Sequence, residues 1–360
     1  MVFLGCWSAL VFSVLSSKIL AESLDETLAQ ALADSGAPGM AAVFFSSEEI
    51  LARADLGVRR ADKKRKIESG DCWHIGSDGK AMTATLVARL VERGEFTWET
   101  TMKEVFGSAA GKFHPQAQEI TVRHLLHHVA GLEANPSLDL RLAGYTAGAQ
   151  GIRKQRVAVV LEALKQEPAS KPGEKYLYSN TGYIIAGAVV EEVLGMTWER
   201  AIEKEVFAPL GIKSAGFGAP EGRSQPRGHK VVGNGKREPA EEGYAGDNPA
   251  IYGPAGGVHL SLEDWVVFLQ DQIQGREGKG KLLKQESYET LHQAALNNYA
   301  MGWIVGKGGD VLAHDGSNTM WYATVMLDLK KDRGVAVVAN DAGPKIGKAM
   351  QKLVFAMMAD

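Results

Sequence analysis

The stretch that decides the fold is HIGSDGKAMTATLVARLVERGE, His74 to Glu95. A short extended lead-in passes into an apolar helix expected to run to about Arg93. Ser77 and Lys80 sit where that helix begins. Residues three apart share one helix face. At a helix start, free backbone N–H groups and the positive dipole end stabilise negative charge on an attacking oxygen or an oxyanion. A lysine one turn on can take the serine proton if burial keeps it neutral, which needs a large drop from its reference pKa of about 10.4. The same residues also read as an N-capping serine beside a solvated lysine. Ser77–Lys80 is the only Ser-x-x-Lys pair in the chain, so its placement, more than its spacing, gives it weight.

Two further elements fit the same chemistry. Tyr178-Ser179-Asn180 precedes an apolar helix closed by Gly195. In extended backbone, positions two apart point the same way, so the Tyr178 phenol and the Asn180 amide face one cavity. The phenol can relay a proton, and the amide can orient a substrate amide or the lysine. His314-Asp315-Gly316 lies on an expected strand, where a glycine lets a ligand lie against the backbone. The Ser317 N–H is then available as an oxyanion donor, of a kind worth roughly 2.7–4 kcal/mol, and His314 can hold or protonate a substrate group. Each element alone has a plainer reading, as a packing tyrosine or a surface histidine.

Strand signals lie at both ends of the chain and helical ones between. Gly39–Ser47 and Glu49–Val58 read as a hairpin, after an amphipathic helix at Leu24–Ala33. From about Phe96 to Glu241 the pattern is mostly helical, with helices at Ile120–Leu132, Gln155–Gln166 and after Tyr178, and Gly218–Asn248 reads as loop. Strands return within Tyr299–Gly316, Met320–Lys331 and Gly334–Ala342, followed by a helix over Lys345–Met358. Consecutive strands with short turns pair antiparallel. The expected class is α+β: an antiparallel β-sheet built from both chain ends (22–95 with 242–360), flanked by helices, with an inserted all-α domain over 96–241.

The three elements, in this order, resemble the serine β-lactamases and penicillin-binding D,D-peptidases, whose pattern is Ser-x-x-Lys, then Tyr-x-Asn or Ser-x-Asn, then Lys-x-Gly or His-x-Gly on a strand. ITVRHLLHHVAGL, PAGGVHLSLEDW (Pro254 to Trp265) and GSNTMWYA resemble the flanking segments of that family. The middle tyrosine is similar to the class C β-lactamase branch with its esterase and peptidase relatives. The resemblance implies a β-lactamase/D,D-peptidase-like fold. It implies Ser77 as nucleophile, Lys80 as activator and Tyr178 as relay. Asn180, His314, Gly316 and Ser317 would bind substrate, with the N–H groups of Ser77 and Ser317 as oxyanion hole. Asp78 and Gly79 depart from the Val and Thr frequent in relatives. His314 replaces a permanent cation where a β-lactam carboxylate would sit, which weighs against efficient β-lactam hydrolysis.

The rest of the chain bounds these readings. It has 360 residues, 45% hydrophobic and 23% charged, with a formal net charge of -3. That is ordinary globular composition, with no bias towards nucleic acid; the basic run Lys63–Lys66 reads as a solvated hairpin tip. Val2 to Ser17 is uncharged and mostly apolar, shorter than the roughly 20 residues of a membrane span. It reads as a secretory signal over residues 1–21, cut after Ala21, despite an n-region without Lys or Arg and Ile19 three before the cut. Removal of that segment leaves Cys72 of the two cysteines, so export places the burden of stability on the core. Gly-x-Ser-x-Gly fails at Ile75. His124, His127 and His128 share a helical face, but no His-Glu-x-x-His motif is present, and neither a metal nor a cofactor is called for. The expectation is an exported, periplasmic or extracellular serine hydrolase opening an amide, ester or β-lactam carbonyl through a Ser77 acyl-enzyme. Its partner is a small-molecule or peptide substrate, with peptidoglycan among the candidates. The alternative is a penicillin- or peptidoglycan-binding protein that acylates without efficient turnover. Oligomeric state is not legible.

Overall fold

The computed structural model describes residues 5–145, 149–222, 224–241 and 246–359. Strands β1 (Gly39–Phe45) and β2 (Ile50–Gly57) form the first hairpin, and β3 (Cys72–His74) leads into the Ser77 turn. After the helical stretch come β4 (Gly216–Phe217), β5 (His229–Val232), β6 (Lys236–Pro239) and β7 (Val258–Ser261). The last are β8 (Ile304–Val305), β9 (Val311–Ser317), β10 (Tyr322–Asp328) and β11 (Arg333–Ala339). The main sheet is six-stranded and antiparallel, in the order β2-β1-β11-β10-β9-β8. The chain ends meet at its centre, with Met40 opposite Ala339 and Phe44 opposite Val335.

Strand β1 is buried along its whole length, so GMAAVFF is a continuous apolar run rather than an alternating one. Its Ala41, Val43 and Phe45 join the large core shared with the helices of the middle of the chain. Met40, Ala42 and Phe44 point the other way, onto Leu24 and Leu28 of the helix Gly5–Ser35 and Leu353 and Val354 of the helix Ile346–Met358. The first helix is therefore longer than the Leu24–Ala33 segment expected. The signal reading begins on residues 1–4, which lie outside the described residues. No described helix is long and apolar enough to cross a membrane.

Two expectations need correction. The interval Gly218–Asn248 is not all loop, because β5 and β6 pair across Gly233-Asn234-Gly235. Asn234 and Gly235 both take positive φ (33° and 78°), and Asn-Gly is a strong hairpin signal that short, polar strands obscured. This hairpin docks on the sheet: His229 N donates to Met320 O (3.1 Å) and its Nδ1 pairs with Asn340 O (2.7 Å). So the interval 96–241, expected to be mostly helical, carries short strands among its helices. The helix expected over Ile120–Leu132 spans only Val122–Leu126. It stops because His128 takes a left-handed conformation, φ 59°.

The helix Gly79–Glu92 is apolar on nearly every side and almost wholly buried, as a helix between two layers must be. The Gly76–Asp78 turn that leads into it packs on β9, and the helix itself packs on the helix Asn180–Leu194. Whatever stands on its first turn lies at the junction of strands and helices.

Candidate active site

The chain leaves β3 and turns through a short 3-10 segment, Gly76–Asp78, before the helix starts at Gly79. This turn presses against β9. A Cβ on Gly76 (φ +53°) would come within 2.3 Å of Ser317 N, and one on Gly316 within 1.9 Å of Ile75 O and 2.9 Å of Ser77 N. Both glycines are required by this approach. It brings the backbone nitrogens of Ser77 and Ser317 to one spot at the mouth of the site, where Ser77 is half-buried and Ser317 exposed.

Lys80 is fully buried. Its Nζ lies 3.1 Å from Ser77 Oγ, 2.8 Å from Asn180 Oδ1 and 2.5 Å from Ala255 O. An amide oxygen and a backbone carbonyl can only accept. A neutral amine therefore spends its two hydrogens on them and turns its lone pair to the Ser77 hydroxyl. Burial drives the Lys80 pKa down to about 7, against an opposing pull from Asp78. Near neutral pH much of this lysine is a free base one hydrogen bond from the Ser77 hydroxyl.

Tyr178 and Asn180, flanking the extended backbone at Ser179 (φ -137°, ψ 111°), both turn to Lys80, whose Nζ stands 4.9 Å over the Tyr178 ring. Ser179 points away, donating to Glu133 O (2.7 Å) and capping the following helix at Gly182 N. The Tyr178 hydroxyl hydrogen-bonds Ser77, and burial holds its pKa far above the usual phenol range. Near neutral pH it therefore keeps its proton and is a phenol, not a phenolate. Asn180 is committed to the lysine, since its Nδ2 donates to Asn135 Oδ1 (2.9 Å), which also accepts from Tyr252 OH (3.1 Å).

His314 is nearly buried, 4% exposed. Its Nε2 meets Tyr299 OH at 3.2 Å, and its Nδ1 meets Asp315 O at 2.9 Å and Asp78 Oδ1 at 3.2 Å. Burial, then the nearby Lys80, push its pKa down to about 3. It is a neutral ring with both nitrogens occupied, so it supplies no fixed positive charge. The three histidines of the 124–128 segment diverge. His124 Nδ1 accepts from Thr121 N, His127 Nδ1 faces Tyr299 O, and His128 Nδ1 accepts from Ser179 N. They brace the site from behind.

Two further participants carried no motif signal, and a third comes from a segment whose role was not legible. Asn135 and Tyr299 are held by tertiary packing alone. The Ala255 carbonyl comes from the PAGGVHL segment, where Gly256 (φ +153°) lies against Gly76. Tyr145 and Asp247 line a neighbouring cavity of about 310 Å³ whose walls include none of Ser77, Lys80, Tyr178, Asn180 or His314; Asp247 Oδ1 accepts from Asn318 Nδ2 (2.7 Å), next to Ser317.

The sequence matches the family described as Beta-lactamase over residues 24–356. The chain belongs to the β-lactamase family. Among curated relatives, it is 22% identical to Protein flp of Staphylococcus aureus (strain N315) over 339 residues, covering 92% of this chain and 65% of that one. It is 27% identical to the putative penicillin-binding protein PbpX of Bacillus subtilis (strain 168), over 74% of this chain and 62% of the relative. The chain thus spans about two thirds of the length of these relatives or a little less. Its fold is shared with the octameric penicillin-binding protein homologue from Pyrococcus abyssi, with a TM-score of 0.77 and 23% identity over 94% of this chain and 77% of that one. It is shared also with EstCE1, a hydrolase with promiscuous acyltransferase activity, with a TM-score of 0.79 and 17% identity over 95% and 99% of the two chains. This β-lactamase-family chain therefore has the mixed α/β architecture, with its antiparallel sheet, of a serine hydrolase family with penicillin-binding protein homologues.

Proposed function

We propose that the protein is an exported serine hydrolase working by acyl transfer. Ser77 Oγ attacks a carbonyl carbon while its proton passes to Lys80 Nζ. The backbone N–H groups of Ser77 and Ser317 take the charge that develops on the carbonyl oxygen. Tyr178, hydrogen-bonded to Ser77, gives its proton to the leaving group and takes up in return the proton that Lys80 received, so the phenol and the free amine are both restored. Water then attacks the acyl-enzyme, and the same groups run in reverse. The observation that carries this reading is the buried Lys80 amine, with two obligate acceptors on one side and the Ser77 hydroxyl on the other.

The neutral His314 shapes the choice of substrate. A penicillin or cephalosporin brings a carboxylate, and the third element offers it no charge. Uncharged esters and amides are the better fit, so turnover of a neutral activated ester is expected to exceed that of a penicillin. The reading of an acylated but non-hydrolysing binder is less favoured, since the serine, lysine and tyrosine needed for turnover are all in contact.

The pH dependence tests the proposal. Folding lowers the Lys80 pKa from 10.5 to about 7, so the amine is protonated below that value and free above it. Ester kcat/KM is expected to rise with pH through a midpoint near 7 and then level. A profile flat from pH 5 to 9 would remove Lys80 from the role of base. The same shift makes burying Lys80 a cost to folding that grows as pH falls from 10.5 to about 7, because in that window only the unfolded chain binds the proton.

A further inference from the structure

Asp78 stands between the nucleophile and the ring of His314, and the acyl-transfer steps do not use it. It is 3% exposed. Its Oδ1 lies 3.2 Å from His314 Nδ1, while its Oδ2 is buried and hydrogen-bonds to nothing among the described residues. The Asp315 carbonyl, 2.9 Å from the same Nδ1, can only accept, so Nδ1 carries the hydrogen and shares it between the two oxygens. Nε2 is then the acceptor for Tyr299 OH. The Tyr299 ring stands edge-on to Tyr178, with centroids 6.3 Å apart at 89°. One line of contacts joins the residue after the nucleophile to the phenol that faces the nucleophile.

Within electrostatic reach of Asp78 are Lys80 on the helix that follows it, His314 and Asp315 on β9, Tyr322 on β10, and Tyr178 from the loop before the helix Asn180–Leu194. No arginine or lysine forms an ion pair with it among the described residues. An ionised carboxylate with one bare, buried oxygen is expensive. It would also draw a proton onto Lys80 and disable the base. Burial and the neighbouring Asp315 outweigh the opposing pull of Lys80 and hold the Asp78 carboxyl well above the usual carboxylate range.

We propose that Asp78 is a positioning residue working as an uncharged acid. Its Oδ1 accepts from His314 Nδ1–H, which aims Nε2 at Tyr299 and sets the Tyr299 edge against Tyr178, while no negative charge is placed beside Lys80. Its effect on rate rests on the acyl-transfer reading; its protonation state does not.

Two variants and one spectrum test this. Asp78→Asn keeps the acceptor and the neutral charge. It is expected to hold kcat/KM within a few-fold of wild type and leave the midpoint of the pH profile in place. Asp78→Ala removes the acceptor and is expected to lower kcat about tenfold or more, with KM little changed. The infrared spectrum of wild-type protein near neutral pH, without substrate, is expected to show the carbonyl stretch of a protonated carboxylic acid, absent from Asp78→Asn. A midpoint that moves by a pH unit or more to the acid side in Asp78→Asn would identify an ionised counter-ion of Lys80 and overturn the proposal. Wild-type kinetics in Asp78→Ala, or a spectrum without that band, would overturn it too. If Asp78→Ala does not fold, the asparagine variant and the spectrum decide. If no acyl substrate is found, the spectrum still stands on its own.

Discussion

Lys80→Met is expected to lower kcat/KM for any acyl substrate by about four orders of magnitude or more while leaving the protein folded. General-base catalysis contributes roughly 10²–10⁴, and groups that act as a unit with the nucleophile cost more when removed. Methionine fills nearly the same fully buried space without a titrating group. Two opposing terms set the stability. Asn180 Oδ1 and Ala255 O lose their donor, at about 1–3 kcal/mol each. Against this, the variant no longer holds an amine neutral far below its free pKa, a burden of about 5 kcal/mol at neutral pH for a shift from 10.5 to about 7. The balance predicts an unfolding midpoint close to that of wild type, measured by calorimetry beside ester hydrolysis. Substantial activity in a folded Lys80→Met protein would mean that another group takes the serine proton.

Gly316→Ala is expected to abolish turnover through geometry alone. The added methyl would sit 1.9 Å from Ile75 O and 2.9 Å from Ser77 N. Backbone cannot swing aside as a flexible side chain can, so β9 must move away from the Gly76–Asp78 turn. That parts the Ser77 and Ser317 nitrogens. Losing one oxyanion donor costs about 10²–10³ in kcat, and the overpacking adds about 1–3 kcal/mol of destabilisation. Asp315→Ala, one position away on the half-buried opposite face where the side chain meets Gln351, is the control, expected to stay well above Gly316→Ala in activity. Comparable kcat in Gly316→Ala and wild type would show that the close approach of β9 is not needed.

The sequence carried the site in its local signals. Ser77 and Lys80 were readable from a serine at a helix start with a lysine one turn on, and Tyr178 with Asn180 from the two-residue repeat of extended chain. The sheet was readable because β1, β10 and β11 are apolar runs between turn residues, although nothing local says that Met40 pairs with Ala339. What failed to show were contacts that depend on distant packing. Tyr299 reads as one aromatic in an apolar strand, and only the fold sets it between His314 and Tyr178. The helix at Val122–Leu126 was overdrawn because HLLHH has helical periodicity, while the left-handed turn at His128 is imposed by its bond to Ser179 N. The β5–β6 hairpin was missed because its strands are short and largely exposed, without an apolar face long enough to register.

The account turns on whether Ser77 becomes acylated, and intact-protein mass spectrometry reads this directly. Wild type and Ser77→Ala would each be mixed with a penicillin, a cephalosporin and a short, uncharged activated ester, and sampled over time. The account predicts an adduct of the acyl mass in wild type only, fastest with the ester, that appears and then decays as water releases it. An adduct that also forms on Ser77→Ala, or no adduct on wild type while the ester is turned over, would contradict it.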